Sequence, residues 1–214
     1  MLFSKISAKL LSILFFVVVI PFAAFAQQNT EIKLPAPNKT GGMPLMDALS
    51  NRKSSRDFSE KELSNQQLSD LLWAMWGINR ADGRRTAPTA RNWQELDLYI
   101  VKKDGIYKYD AKKNVLESVK SGDNRKIAGT QDFVQKAALN ILLVADFKKM
   151  SNNETDNMMT ANIDAGFLCQ NAYLYCASEK LKCVVRMMID RDEIKKVLGF
   201  GNDMYPVIAV TVGN

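Results

Sequence analysis

From residue 64 to residue 77 the sequence SNQQLSDLLWAMWG places apolar side chains at Leu68, Leu71, Leu72 and Met75. That spacing of three and four puts them on one face of a helix. Ser64 and Gln67 stand at capping-box spacing before it, and Gly77 is a stop after it. Further on the period shortens. In ELDLYIVKKDGIYKYDAKKNVLESV, Leu96, Leu98 and Ile100 alternate with their neighbours, as they would on a strand. Asp104-Gly105 is a hairpin signal, and VLESV predicts a third short strand. TQDFVQKA predicts a short helix. ALNILLVAD is apolar almost throughout, the pattern of a strand buried on both faces.

The longest helix is predicted over 156–180. Ala165, Leu168, Ala172 and Tyr175 form one stripe, while Ile163, Phe167, Leu174 and Ala177 lie off it. A helix apolar on most sides is buried in a core or against another subunit. CVVRMM, DRDEIKKVLG and YPVIAVTVG follow as strand, capped helix and strand. A short helix is predicted over 44–50, with Pro44 at its start. Residues 27–43 are polar with Pro and Gly, and read as a flexible leader or an arm. The fold class is therefore α+β: one domain over 44–214, with a mainly antiparallel sheet surrounded by helices.

Residues 1–26 have a different pattern. Lys5 and Lys9 precede an apolar run, and Ala-Phe-Ala ends it before Gln27. This is the layout of a secretory signal peptide, which predicts cleavage near Ala26 and a periplasmic location. Cell fractionation tests the expectation. Protein found in the cytoplasm with residues 1–26 intact would overturn it.

Composition narrows the chemistry. The chain has no histidine, which excludes Ser-His-Asp triads, Cys-His dyads and His-ligated zinc. No metal site is read, and a cofactor is left to carry any difficult chemistry. The net charge of +6 admits anionic ligands, but no long basic run points to nucleic acid. Cys169 and Cys176 lie two helical turns apart, about 10 Å, too far for a disulfide. At most Cys183 pairs with one of them; otherwise all three are buried and apolar.

The densest cluster of polar chemistry is NRKSSRDF at 51–58, with Arg52, Lys53 and Arg56 around Ser54 and Ser55. Two guanidinium forks and a hydroxyl so spaced suit a phosphate. The downstream loop holds Arg80, Arg84, Arg85 and Arg91 and reads as a solvated face. Trp73 and Trp76 read as core residues.

RKSSRDF and the later PTARNWQ, in this order, resemble the nitroreductase family of flavin enzymes. The resemblance covers about residues 44–213. LLWAMWGIN and GIYKYD look most like the branch of azoline dehydrogenases. The resemblance implies an FMN site. Arg52 and Ser54 hold the phosphate, and Lys53 adds backbone or charge. Arg56 reaches the pyrimidine end of the ring, where a fixed cation favours the reduced state. Asn92 hydrogen-bonds the flavin. Val185, Arg186 and Met187 bring a strand end beside it. Met187 stands where members often carry glycine, and Glu95 where proline is frequent.

It further implies a homodimer with FMN at the subunit interface and a small electron-poor acceptor, such as a nitroaromatic or quinone. NAD(P)H is the reductant expected in vitro. Export would separate the protein from that pool, so a membrane-linked or protein donor is expected in the cell. The alternatives are azoline oxidation in a peptide, and a non-catalytic exported flavin-binding protein.

Overall fold

The capping box forms as its spacing requires. Ser64 Oγ accepts from the Gln67 N–H at 3.1 Å, and Gln67 Oε1 accepts from the Ser64 N–H at 3.0 Å. In the computed structural model, which describes residues 31–214, the elements run in chain order as follows. They are β1 (Glu31–Lys33), α1 (Leu45–Asn51), α2 (Asn65–Trp76), β2 (Leu96–Val101), β3 (Gly105–Asp110), β4 (Val115–Ser121) and α3 (Phe133–Lys136). Then come β5 (Leu139–Asp146), α4 (Glu154–Ser178), β6 (Lys182–Arg186), α5 (Arg191–Leu198) and β7 (Met204–Gly213).

Among the described residues seven strands make one antiparallel sheet in the order β1-β4-β3-β2-β5-β7-β6. β5 lies between β2 and β7, and its residues from Leu139 to Ala145 are buried, as its unbroken apolar run predicts. The pleat sends alternate residues to opposite faces. Leu139, Ile141, Leu143 and Ala145 share a core with Leu71 and Leu72 of α2 and Ala165 and Leu168 of α4. Leu142 and Val144 share the second core with Val134 of α3 and Ile194 of α5. Helices thus cover both faces, and the fold is α+β as expected.

Of the two readings of this segment, a flexible leader or an arm, residues 31–43 take the form of a packed arm. β1 pairs with β4, Glu31 opposite Glu117. Ser69 Oγ donates to the Pro35 carbonyl at 2.6 Å, and the Asn38 N–H donates to Asp70 Oδ1 at 2.7 Å. The Met43 N–H donates to Ser178 Oγ at 2.8 Å. A three-residue strand followed by prolines carries too little period to be read locally, and long-range hydrogen bonds fix it instead. The expected signal segment, 1–26, lies outside the described residues.

α4 is only partly enclosed. Ala161, Ala165, Leu168, Cys169, Ala172 and Cys176 are buried, but Met159, Ile163 and Phe167 stand 59%, 58% and 44% exposed in one line. All three cysteines are free and buried. Burial pushes the Cys169 thiol up to about 12, far from the reactive thiolate.

Candidate functional site

Residues 52–58 leave the end of α1 without regular secondary structure and meet β6 at Ser55. The Arg52 N–H closes α1 on the Ala48 carbonyl at 2.9 Å, and the Ser55 N–H donates to the Cys183 carbonyl at 2.9 Å. Tyr173 of α4 ties the stretch down. Its ring lies under the Arg52 guanidinium at 5.3 Å, and its hydroxyl is 2.8 Å from Ser54 Oγ. The same hydroxyl accepts the Val185 N–H at 3.0 Å. One phenol therefore joins Arg52, Ser54 and Val185, three of the residues singled out in the sequence. Arg56 is exposed nearby in the chain, and Phe58 anchors the far end in the core.

Lys53 behaves differently from its neighbours. With Ser55, Asp57, Lys180 and Lys182 it lines a cavity of about 490 Å³, whose lining does not include Arg52, Ser54 or Arg56. Its side chain offers charge to that cavity, while its backbone stays within the stretch that carries Arg52 and Ser54.

The strand end at β6 also divides by role. Met187 and its neighbour Met188 are each 64% exposed just past it. The Arg186 side chain points the other way, 5% exposed. Its Nε donates to Thr211 Oγ1 at 3.0 Å and its Nη2 to Asn140 Oδ1 at 3.2 Å. Its Nη1 donates to the Ala128 carbonyl at 2.9 Å and to Gln131 Oε1 at 3.2 Å. All four partners are neutral, and burial lowers its pKa to about 10. A guanidinium so committed braces the core, so the expectation for this position rests on its backbone, which is left to face a ligand. Gly129 makes room for it. At φ 154° a Cβ there would fall on Arg186 Nη1.

Asn92 sits in the turn 89–94. Arg91, Asn92 and Gln94 all have positive φ, at 51°, 56° and 50°. Three left-handed non-glycine residues in four store backbone strain that the surroundings must hold. They are held well. Gln94 N–H donates to Thr89 Oγ1 at 3.0 Å, and Arg85 Nε donates to Gln94 Oε1 at 2.8 Å. Arg85 stacks on the buried Trp76 at 4.5 Å, so this arginine is a brace rather than part of a solvated face. Trp73 borders a separate cavity of about 480 Å³ beneath residues 38–42, with Lys39 Nζ 5.9 Å from its ring.

Under the turn lie two acids. The Ala90 N–H donates to Asp164 Oδ2 of α4 at 2.9 Å. Glu95, next to Asp164, is fully buried, and among the described residues neither of its carboxyl oxygens has a donor. Burial and the adjacent Asp164 raise the Glu95 pKa to about 7, and burial raises that of Asp164. Sequence reasoning passed over Tyr173, Asp164 and this role of Glu95. Asp164 carried the one local signal, a lone acid inside the apolar run of α4; Tyr173 carried none.

The two halves of the candidate site do not meet within one chain. Arg52 and Ser54 touch α4 at Tyr173, and the Asn92 turn touches it at Asp164. Nine residues along a helix is about 13 Å and about half a turn of rotation. The exposed line of Met159, Ile163 and Phe167 runs between the two sides.

The chain belongs to the nitroreductase family, whose model matches residues 49–214. Its solved relatives include a nitroreductase of Ralstonia eutropha JMP134, 38% identical, with TM-score 0.81, covering 86% of this chain and 89% of that one. A nitroreductase of Methanocaldococcus jannaschii is 25% identical over 194 residues, 86% of this chain and 96% of its own. A chain of the Escherichia coli microcin synthetase McbBCD complex with truncated pro-MccB17 shares the fold. It is 18% identical with TM-score 0.65, covering 94% of this chain and 84% of that one. The family and its oxidoreductase members make this chain an oxidoreductase. Members of the family, NAD(P)H:FMN oxidoreductases among them, generally use flavin.

Proposed function

We propose that this chain is a homodimeric, FMN-dependent oxidoreductase. It takes hydride or electrons from a donor and passes them to an electron-poor organic acceptor such as a nitroaromatic or a quinone. One observation carries the reading. The two half-sites flank an exposed apolar stripe of α4, so a two-fold dimer packed through that stripe brings the Asn92 turn of one copy against the Arg52 face of the other. An isologous contact of this kind completes two sites at once. Gly166 on the same side of α4 has open space where a Cβ would be, which favours close approach of a second helix.

The donor set suits the cofactor. Arg52 and Ser54 hold the phosphate, and Arg56 offers a cation to the ring. The Asn92 amide offers a hydrogen bond, and the exposed Met187 and Met188 give an apolar wall that excludes water. Bound FMN supplies the hydride and electron transfer. The protein needs no nucleophile of its own.

Complementation tests both parts. Arg52→Ala and Asn92→Ala chains, each poor in flavin alone, are coexpressed. With random mixing, about a quarter of the wild-type number of sites is restored, because each mixed dimer regains one intact site. No gain over either single variant would place both halves in one copy and end the dimer reading.

The fold likeness to the microcin synthetase chain covers more of this chain than the Ralstonia relative does. It supports a second reading, azoline oxidation in a peptide, which turnover of an azoline-bearing peptide would reveal. A flavin that is reduced but reoxidised by oxygen alone would favour a non-catalytic binding protein.

A further inference from the structure

The turn that carries Asn92 is strained, and something must hold it. Its hydrogen bonds to Thr89 and Arg85 fix the Gln94 end. The Ala90 end has one anchor from outside the turn, Asp164 Oδ2. Asp164 is itself 3% exposed. Beside it the Glu95 carboxyl is fully buried, with no N–H or O–H donor on either oxygen among the described residues. Two ionised carboxylates cannot satisfy one another, because both only accept. One proton between them resolves the conflict: the protonated acid donates to the carboxylate, and the carboxylate still accepts the Ala90 N–H.

We propose that Glu95 and Asp164 share a single proton, and that this pair is the positioning element that holds the 89–94 turn, and with it Asn92, in its flavin-binding shape. The inference rests on the flavin-site reading above and names what sets that site.

One cation acts on the pair: Lys149 pulls the Glu95 pKa down, against the larger effects of burial and Asp164. From the segment after β5, Lys149 Nζ faces the pair, but that amine is held by the Gln94 carbonyl at 3.3 Å and Asp97 Oδ1 at 3.4 Å. Asp97 on β2 is also paired with Lys108 at 2.7 Å. Asp146, at the end of β5, gives its N–H to the Glu95 carbonyl at 3.0 Å, and its side chain accepts from the Lys148 N–H. On α4 the group that faces Glu95 is Asp164. With Glu95 raised to about 7, the proton is held below that pH and leaves to solvent above it. Two adjacent carboxylates then repel, and the anchor on Ala90 loosens.

The experiment measures FMN dissociation constants from pH 5.5 to 8.5. Wild-type binding should weaken above pH 7, by at most about tenfold per pH unit for one linked proton. Glu95→Gln donates permanently to Asp164, so it should bind as wild type does at pH 6 and stay flat to pH 8.5. Asp164→Ala should bind weakly at every pH. Infrared spectroscopy of the flavin-free protein reads the proton directly. A carboxylic-acid carbonyl band should be present at pH 6, fade near pH 7, and be missing in Glu95→Gln. Absence of that band in wild type overturns the shared proton. A Glu95→Gln profile as steep as wild type overturns the positioning role. If no form binds FMN, the flavin reading falls and the positioning role with it, whatever the band shows about the proton.

Discussion

Arg52→Ala is expected to weaken FMN binding by about 10- to 150-fold, the loss of a charge-assisted contact of about 1.5–3 kcal/mol. The guanidinium is half-buried on the Tyr173 ring, so it is already ordered before a ligand arrives and pays little to bind one. Removing it should leave the stretch in place, because Ser55 on Cys183 and Ser54 on Tyr173 remain. Flavin fluorescence titration measures the effect, with circular dichroism to show that the fold persists. An affinity equal to wild type would remove the phosphate assignment at its centre.

Arg186→Leu should act on stability instead. The substitution keeps the side chain's bulk but removes the donors that the Ala128 carbonyl, Gln131 Oε1 and Thr211 Oγ1 use. Asn140 Oδ1 keeps its bond from Thr211 at 2.7 Å, which limits the damage. Two effects oppose each other. Orphaned buried acceptors cost about 1–3 kcal/mol each, and the variant is relieved of desolvating a cation that has no carboxylate partner. Because several acceptors are orphaned at once, the first effect should win, with a net loss of about 2–4 kcal/mol in urea unfolding. Flavin affinity should fall much less than in Arg52→Ala. An unmoved unfolding midpoint would show that the network adjusts without its cation.

These two arginines show where the sequence could be read and where it could not. α2, the hairpin at Asp104-Gly105 and the buried strand β5 are each written in a few consecutive residues: a cap, a turn pair, an apolar run. Residues 52–58 were legible as chemistry because their cations and hydroxyls are adjacent in the chain. Arg186 was read only as part of a strand end, and the direction of its side chain depends on Asn140 and Thr211, 46 and 25 residues away, which no local period links to it. β1 was missed for the same reason, since three residues fix no period and β4 supplies their partners. Glu95 was noticed only as a departure from proline. Its meaning appears when α4 brings Asp164 beneath it. The periodicity of α4 gave its length and its inner face, but could not decide between core and partner for Ile163 and Phe167.

The residues between Arg52 and Phe58 carry one more consequence. β6 is an outermost strand, and the outward groups at Cys183 and Val185 are taken by Ser55 and by Tyr173. An uncovered sheet margin is a template on which other chains add strands and aggregate. The opposite margin, β1, is three residues long and followed by Pro35 and Pro37, which blunt it. The segment that offers its arginines to an anion thus also shields the open end of the sheet with its backbone. Side-chain changes there should alter ligand binding while the protein stays soluble. Ser55→Pro removes the N–H that covers Cys183, and should instead promote fibrillar or amorphous association, readable by light scattering at unchanged concentration.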